Sequence, residues 1–278
     1  MTTRTTIIAG AALLLLAAAA GAWLWPTGPS PDAEAAEDTQ TLPLPPLPAR
    51  IAGGEDYDRC LAMLNDDPAA ASGFAEGWEA TGGGEPATHC LALSKIGLGE
   101  PARAAAMLEK LAATSHGPTA ARAALYAQAT QAWEMADDID HALGAATMAL
   151  ALSPDNPDLL IDRAVVSGSK NQFRDAIEDL TKALSADNRR ADALTFRAAA
   201  WRHLEDLDRA QGDVDRALAI DPDSADALLE RGILRQRRND QAGARADWER
   251  AIELAPDTAT ADLAQQNIAL LDAGPERR

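Results

Sequence analysis

The sequence predicts an all-α fold, a right-handed α-solenoid of helix–turn–helix repeats, on three observations. Phrases of one type, ALALSP, ALSADN, ALAIDP and AIELAP, recur every 34 residues and end at Pro154, Asn188, Pro222 and Pro256. Small and apolar residues between these marks follow helical spacing. Aromatic residues make up only 4% of the chain, and Gly and Pro cluster outside the periodic segments. A fixed period of this length is typical of stacked supersecondary units.

Residues 1–25 are expected to form a signal-anchor transmembrane helix. The segment 7–25, IIAGAALLLLAAAAGAWLW, carries no charge and would span about 28 Å as a helix, close to the thickness of a hydrocarbon core. Arg4 is the only charged side chain before it, which predicts a cytoplasmic N-terminus. The alternative is a cleaved signal peptide, with small-residue sites at 20–22 or 33–35. Both interpretations export the rest of the chain.

Residues 26–50 are expected to form a disordered Pro-rich linker. PTGPSPDAEAAEDTQ is rich in Pro, acidic and small residues, and LPLPPLP favours polyproline II, which makes no internal hydrogen bonds. The main interpretation is a spacer. The alternative is a ligand for a groove, which could be this protein's own.

Cys60 and Cys90 are the only cysteines. An even number of cysteines in an exported chain predicts a disulfide, and each lies in the first helix of a predicted hairpin. Two buried thiols are the alternative. Neither cysteine belongs to a CxxC pair, which disfavours zinc and redox catalysis.

The repeats can be numbered so that the closing proline takes position 32, which gives units 123–156, 157–190, 191–224 and 225–258. Position 20 is always alanine, a small side chain that permits close helix crossing. Three first helices begin DNPDLLIDRA, RRADALTFRA and DSADALLERG, each with an aspartate where the helix dipole favours a negative charge. This pattern resembles the tetratricopeptide repeat family over about four-fifths of the chain.

The resemblance implies a stack of hairpins whose first helices line a concave groove. Residues 51–118 are interpreted as divergent hairpins, 119–258 as repeats, and 259–278 as a capping helix and tail. A cap solvates the exposed end of a solenoid. Members of the family bind proteins or peptides, so a protein or peptide partner is expected.

Two columns of the repeat change character together. Position 7 is Arg and position 23 is Asp in three units, namely Arg163/Asp179, Arg197/Asp213 and Arg231/Asp247. Both positions are Ala in the unit 123–156. We therefore expect a forked arginine–carboxylate pair between the two helices of each of these hairpins.

No motif for catalysis or cofactor binding is found. The four histidines are scattered, no HExxH, GxSxG or Walker-type pattern occurs, and DPDSAD lacks the glycine and glutamate of a calcium loop. We expect no metal, no cofactor and no enzymatic activity. A formal net charge of −18 argues against nucleic acid as a partner.

Projection of positions 2, 5, 9, 12 and 13 into the groove gives the candidate binding residues. The apolar ones are Ile161, Val165, Leu229 and Ile233. The polar ones are Gln131, Glu134, Asp158, Asp192, Thr195, Arg202, His203, Asp226, Gln236 and Arg237.

The leading hypothesis is a non-catalytic scaffold of the bacterial cell envelope, anchored in the inner membrane, with its repeats in the periplasm and a protein partner in the groove. A soluble periplasmic protein follows if the N-terminal segment is cleaved. Self-association of the solenoid is the second hypothesis. A role linked to cell-wall enzymes is the third, and it is disfavoured because the sequence shows no convergent carboxylate pair.

Overall fold

The computed structural model describes residues 50–274, and all regular structure in this range is helical. The helices are α1 (Glu55–Asp66), α2 (Pro68–Ala80), α3 (Gly84–Gly97), α4 (Pro101–Thr114), α5 (Thr119–Met135), α6 (Ile139–Leu152), α7 (Pro157–Ser169), α8 (Phe173–Ala186), α9 (Ala191–His203), α10 (Leu207–Ile220), α11 (Ala225–Arg237), α12 (Gln241–Leu254) and α13 (Ala259–Ala273). They form six hairpins followed by a single helix, which confirms the all-α solenoid for this range.

The predicted anchor and nearly all of the predicted linker lie outside the described residues. Between residues 50 and 274, no helix has the length and apolar character needed to cross a membrane.

Four hairpin turns hold one residue in the left-handed region, at φ between 57° and 65°, and these residues keep the 34-residue step: Asp137, Asn171, Glu205 and Asn239. The next N–H then bonds to a carbonyl five residues back, as from Asp206 to Trp201 at 3.0 Å. This bond closes the helix end in a Schellman motif. Asp206 also caps α10, because its side chain accepts from the N–H of Arg209. The polar turn therefore ends one helix and starts the next.

Small residues let the two helices of each hairpin approach closely. The alanines at position 20 are at most 2% exposed: Ala142, Ala176, Ala210 and Ala244. In the last hairpin, Gly232 on α11 faces the fully buried Trp248 on α12, whose Nε1 donates to the carbonyl of Leu229 at 3.2 Å. A Cβ at Gly232 would lie 2.6 Å from Cδ1 of Trp248. The glycine therefore makes room for the indole.

The predicted Arg–Asp pairs are present in all three hairpins as forked contacts. Arg197 donates from Nε and Nη2 to the two oxygens of Asp213, at 2.7 and 2.8 Å. The other two pairs have the same form: Arg163/Asp179 and Arg231/Asp247. The three aspartates are 4–6% exposed. A buried carboxylate needs such a partner, since an isolated buried charge is costly.

The N-terminal hairpins are joined by a disulfide. Cys60 on α1 and Cys90 on α3 are bonded, with their Cα atoms 6.3 Å apart. Both residues are fully buried. The structure thus has the bridge that the sequence favoured over two free thiols. Closing a 30-residue loop stabilises the folded chain by about 3–4 kcal/mol on the loop-entropy account.

A buried hydrogen-bond chain lies beside the disulfide and links α1, α3 and α5. Nδ1 of His89 lies 2.6 Å from the hydroxyl of Tyr57, and Nε2 lies 2.6 Å from Oε1 of Gln128. Because that amide oxygen can only accept, Nε2 carries the proton and Nδ1 accepts from Tyr57. Burial lowers the pKa of His89 to about 4. The neutral ring therefore serves to hold three first helices together.

We predict that Gly232→Ala destabilises the protein by about 2 kcal/mol, because the added methyl overlaps with Trp248. Gly212→Ala in α10 is the matched control, since its new Cβ meets no atom within 4 Å. The control should gain up to about 1 kcal/mol from helix propensity. Urea unfolding measures both, and equal effects of the two substitutions would contradict the packing argument.

A double-mutant cycle tests the Arg197–Asp213 pair. We expect each single alanine substitution to cost about 3 kcal/mol, because it leaves a buried charge alone, and the double mutant to cost at least about 1 kcal/mol less than their sum. The exposed pair Arg250–Asp223 is the control, with an expected coupling much smaller than that of Arg197 and Asp213 because solvent screens it. Additive losses at Arg197 and Asp213 in urea unfolding would show that the contact is energetically unimportant.

Candidate functional site

The first helices of consecutive hairpins contact one another, from α5 through α7, α9 and α11 to α13. The second helices pack mainly on the first helix of their own hairpin and on that of the next. The side on which consecutive helices approach most closely is the inner side of a curved stack. The outward-facing side chains of α5, α7, α9 and α11 therefore form the candidate site, called here the concave surface.

The predicted binding residues differ in their exposure. The exposed ones are Asp158, Asp192, His203, Asp226 and Arg237. The half-buried ones are Gln131, Glu134, Arg202 and Gln236. Thr195 is buried, and its hydroxyl donates to the carbonyl of Ala191 in its own helix, so it presents little polar surface.

Two of the predicted aspartates are bridged by Arg190, which is not among the predicted binding residues. Arg190 donates to Asp158 on α7 at 2.6 Å and, through Nε and Nη2, to Asp192 on α9 at 3.0 and 2.7 Å. Burial raises the pKa of Asp192, but the bonds from Arg190 and the N–H of Ala193 outweigh it and lower the pKa overall. These two carboxylates therefore tie neighbouring repeats together.

The two predicted arginines are paired within the protein. Arg202 on α9 donates from Nε to Glu230 on α11 at 2.6 Å, with side chains only 14% and 7% exposed. Arg237 donates to both oxygens of Glu205, at 2.9 and 2.8 Å. Arg202 therefore stabilises the contact between two repeats more than it presents a charge to solvent.

His203 stacks on Phe173 of α8, with ring centroids 4.3 Å apart and planes 5° apart. Partial burial, together with the charges of Arg202 and Arg237, lowers the pKa of His203. Its exposed face is thus that of a neutral aromatic ring at neutral pH. Asp226 accepts a hydrogen bond from Thr260 on α13, which ties the capping helix to α11.

Two carboxyl groups come together between α5 and α7, at Glu134 and Asp162. Burial, followed by the charge of Asp162, raises the pKa of Glu134 to about 7. Burial, followed by the charge of Asp158, raises the pKa of Asp162 to about 6, although Arg190 opposes this. Glu134 is one of the predicted binding residues, whereas Asp162 occupies position 6, which is not among the positions predicted to face the groove.

An apolar strip continues along the same surface. Phe196 on α9 is 37% exposed. Val165, Leu229 and Ile233 are half-buried, whereas Ile161 is only 6% exposed. The residues of the strip lie on α7, α9 and α11, whereas the acidic pair lies on α5 and α7. The concave surface therefore combines one acidic area with one apolar area.

A separate open cleft of about 370 Å³ lies between α6, α7 and α8, away from the concave surface. Its cation, Arg163, is already bound to Asp179. Between residues 50 and 274, no group of three or more His, Cys, Asp or Glu side chains is arranged to hold a metal ion.

Comparison with known proteins supports the tetratricopeptide type for these repeats. Residues 197–269 match the family model described as tetratricopeptide repeat. No curated protein matches the sequence of the chain significantly. The family match is confined to the last two hairpins and α13, where the repeat pattern is most regular.

Three solved structures share the fold at low sequence identity. A double mutant of MamA RS-1 is 18% identical, with 61% of this chain and 93% of that chain covered and a TM-score of 0.52. A chain of the APC/C hetero-tetramer Cut9–Hcn1 is 17% identical, with 76% and 42% covered and a TM-score of 0.59. The thermophilic protein TTC0263 of Thermus thermophilus is 17% identical, with 67% and 98% covered and a TM-score of 0.54. The protein thus spans less than half of the matched chain of the hetero-tetramer.

The acidic pair predicts a pH effect on stability. An acid with a raised pKa favours folding while it is protonated, so its contribution is present below its ordinary pKa and is lost as pH rises through the folded values, about 6 and about 7. We therefore compare the free energy of unfolding of Glu134→Gln with Asp162→Asn with that of the wild type. As pH rises from 4.5 to 7.5, this difference should shift in favour of the variant by about 1–2 kcal/mol, after discounting for solvent screening.

Urea unfolding at the two pH values measures this difference. The lowered pKa of His89 also makes stability depend on pH, with the opposite sign, but this contribution is the same in the variant and the wild type and cancels. The control is Glu178→Gln with Asp215→Asn, two exposed acids on α8 and α10. Its difference from the wild type should be constant over the same range. If the free energy of unfolding of the Glu134 and Asp162 variant also differs from that of the wild type by a constant amount, the proposed repulsion between the two acids is contradicted.

Proposed function

We propose that the protein is a non-catalytic scaffold that binds a segment of a protein partner along its concave surface. The observation that carries this proposal is the apolar strip on that surface. Phe196 is 37% exposed there, and Val165 and Ile233 on the neighbouring helices α7 and α11 are half-buried. Large apolar side chains surrounded by charged groups are typical of sites where another protein covers them.

The arrangement of the charged groups supports binding rather than catalysis. Glu134 and Asp162 form a carboxyl pair, but within residues 50–274 neither is hydrogen-bonded to a histidine or to a hydroxyl that could act as a nucleophile. Acid–base catalysis needs such a positioned partner or a bound substrate. A fold shared with a chain of the Cut9–Hcn1 hetero-tetramer is consistent with a role in protein assembly.

The proposed setting is the bacterial cell envelope, with the N-terminal segment as an inner-membrane anchor and the repeats in the periplasm. The uncharged run 7–25 has the length of a membrane span. The Cys60–Cys90 disulfide gives independent support, because such bonds persist in oxidising compartments. A cleaved segment would give a soluble protein in the same compartment.

Self-association is the second candidate function, and one observation favours it. Leu263 and Leu270 on α13 are 50% and 47% exposed, two turns apart on the face opposite the core. A second copy of the chain could cover this face. Light scattering on the full chain distinguishes the candidates, since a monomer would exclude stable self-association, whereas a dimer abolished by Leu263→Asp would support it.

Site-specific photo-crosslinking tests the leading proposal. A photoreactive side chain at Phe196 of the full-length protein, expressed in its host, should give discrete adducts that Ile233→Asp weakens at least fivefold. The control places the same group at Met148, which is 47% exposed on α6, a second helix outside the concave surface. Identical adducts from both positions, or none from Phe196, would overturn the proposal.

A further inference from the structure

Because the repeat has a fixed period, the same two positions lie on either side of the space between each pair of consecutive first helices. The space between α9 and α11 shows which side chains these positions can hold. Position 12 of one first helix faces position 6 of the next. Between α9 and α11 these positions are Arg202 and Glu230, whose Nε and Oε1 atoms lie 2.6 Å apart. Their side chains are 14% and 7% exposed. The space therefore holds a guanidinium against a carboxylate with little water.

Between α5 and α7 the same two positions are Glu134 and Asp162, so two acids occupy the place of an ion pair. Both are half-buried. Within residues 50–274 neither carboxylate has a hydrogen bond or an ion pair. The charge of Arg190 acts on Asp162, but its guanidinium is bound to Asp158 and Asp192. The folded chain thus brings two acids together and leaves them without a positive partner.

The next space, between α7 and α9, is open and apolar. Its two positions are Gly168 and Phe196. A Cβ added at Gly168 would meet no atom within 4 Å, so the space beside this glycine is open, and Phe196 is 37% exposed. Along the concave surface, an acidic space is therefore followed, one repeat later, by an apolar space with an exposed aromatic side chain.

We propose that the concave surface binds a protein segment carrying an arginine or lysine, whose cationic group lies between Glu134 and Asp162 while an apolar side chain lies against Phe196. The inference rests on the proposed function and names its partner class. The incoming cation would take the role that Arg202 has toward Glu230. A net charge of −18 steers a basic segment toward this surface.

The chemistry of the acidic space favours an organic cation over a metal ion. Calcium takes six to eight oxygen ligands, and two carboxylates supply few of them. Within residues 50–274, no third acidic, His or Cys ligand completes a metal-binding group. A guanidinium needs only a pair of carboxylate oxygens in its plane.

Selection from a random library of displayed twelve-residue peptides, on the immobilised full-length protein, tests the inference. We expect the selected peptides to share an arginine or lysine and an apolar residue. Replacement of that basic residue by glutamine should weaken binding at least tenfold in fluorescence anisotropy. Glu134→Gln with Asp162→Asn should weaken it to the same extent, whereas Glu178→Gln with Asp215→Asn, the control of equal charge, should leave it within twofold.

A charge substitution adds a readout that loss of folding cannot mimic. Glu134→Arg places in the chain the cation that we assign to the partner, so its guanidinium should donate to Asp162 as Arg202 does to Glu230. We expect this variant to have a higher Tm than the wild type and to lose binding of the selected peptides at least tenfold. A higher Tm with unchanged binding would overturn the inference.

The outcomes separate this inference from the proposed function. The selected peptides are expected to compete for one site and to lose binding to Phe196→Asp. If they do so but lack a basic residue, or still bind Glu134→Gln with Asp162→Asn, the inference alone is contradicted. A selection that yields no peptide sensitive to Phe196→Asp contradicts the proposed function, and the inference falls with it. Equal competition by spermidine and by the selected peptides would overturn the assignment to a protein segment.

Discussion

The contacts among α5 to α12 depend on the register that the 34-residue period imposes on consecutive hairpins. One residue in the left-handed region ends each of the first helices α5, α7, α9 and α11, and in three of these turns the aspartate after it starts the second helix. The turn therefore fixes both the length and the phase of the two helices. Because the phase is constant from α5 to α12, the same positions meet in each of these hairpins, and only the identities of the side chains vary.

Variation at fixed positions explains how one backbone supports different local chemistry. Within a hairpin, position 8 meets position 24, and a smaller side chain at position 8 accompanies a larger one at position 24. Gly232 with Trp248 is the extreme case. Between hairpins, position 12 meets position 6, and the pair changes in charge, from Glu134 with Asp162 to Arg202 with Glu230. The first exchange preserves packing density, whereas the second alters what the concave surface can bind.

Much of the fold could be predicted from the sequence, because the information is local and repeated. Hairpin boundaries and the Arg–Asp pairs follow from columns that keep their residue type from unit to unit, whereas the disulfide follows from the even number of cysteines. The concave surface was harder to predict, because its positions keep their place but not their chemistry. Arg202 was expected to face a partner, yet its bond to Glu230 spans 28 residues and two hairpins. Arg190 was missed because it lies in the turn before a first helix.

The two halves of the solenoid reach stable hairpins by different means. The C-terminal hairpins carry a buried ion pair at positions 7 and 23, whereas the hairpin of α5 and α6 has Ala129 and Ala145 there, both fully buried. Replacing both partners of a buried pair by apolar residues removes the desolvation cost together with the attraction, so such an exchange need not destabilise a hairpin. The N-terminal side adds the disulfide and the neutral His89 chain instead. The ion pairs are therefore one of several ways in which the two helices of a hairpin are held together. The acids on α5 and α7 do not have this role, since they lie between hairpins and repel each other.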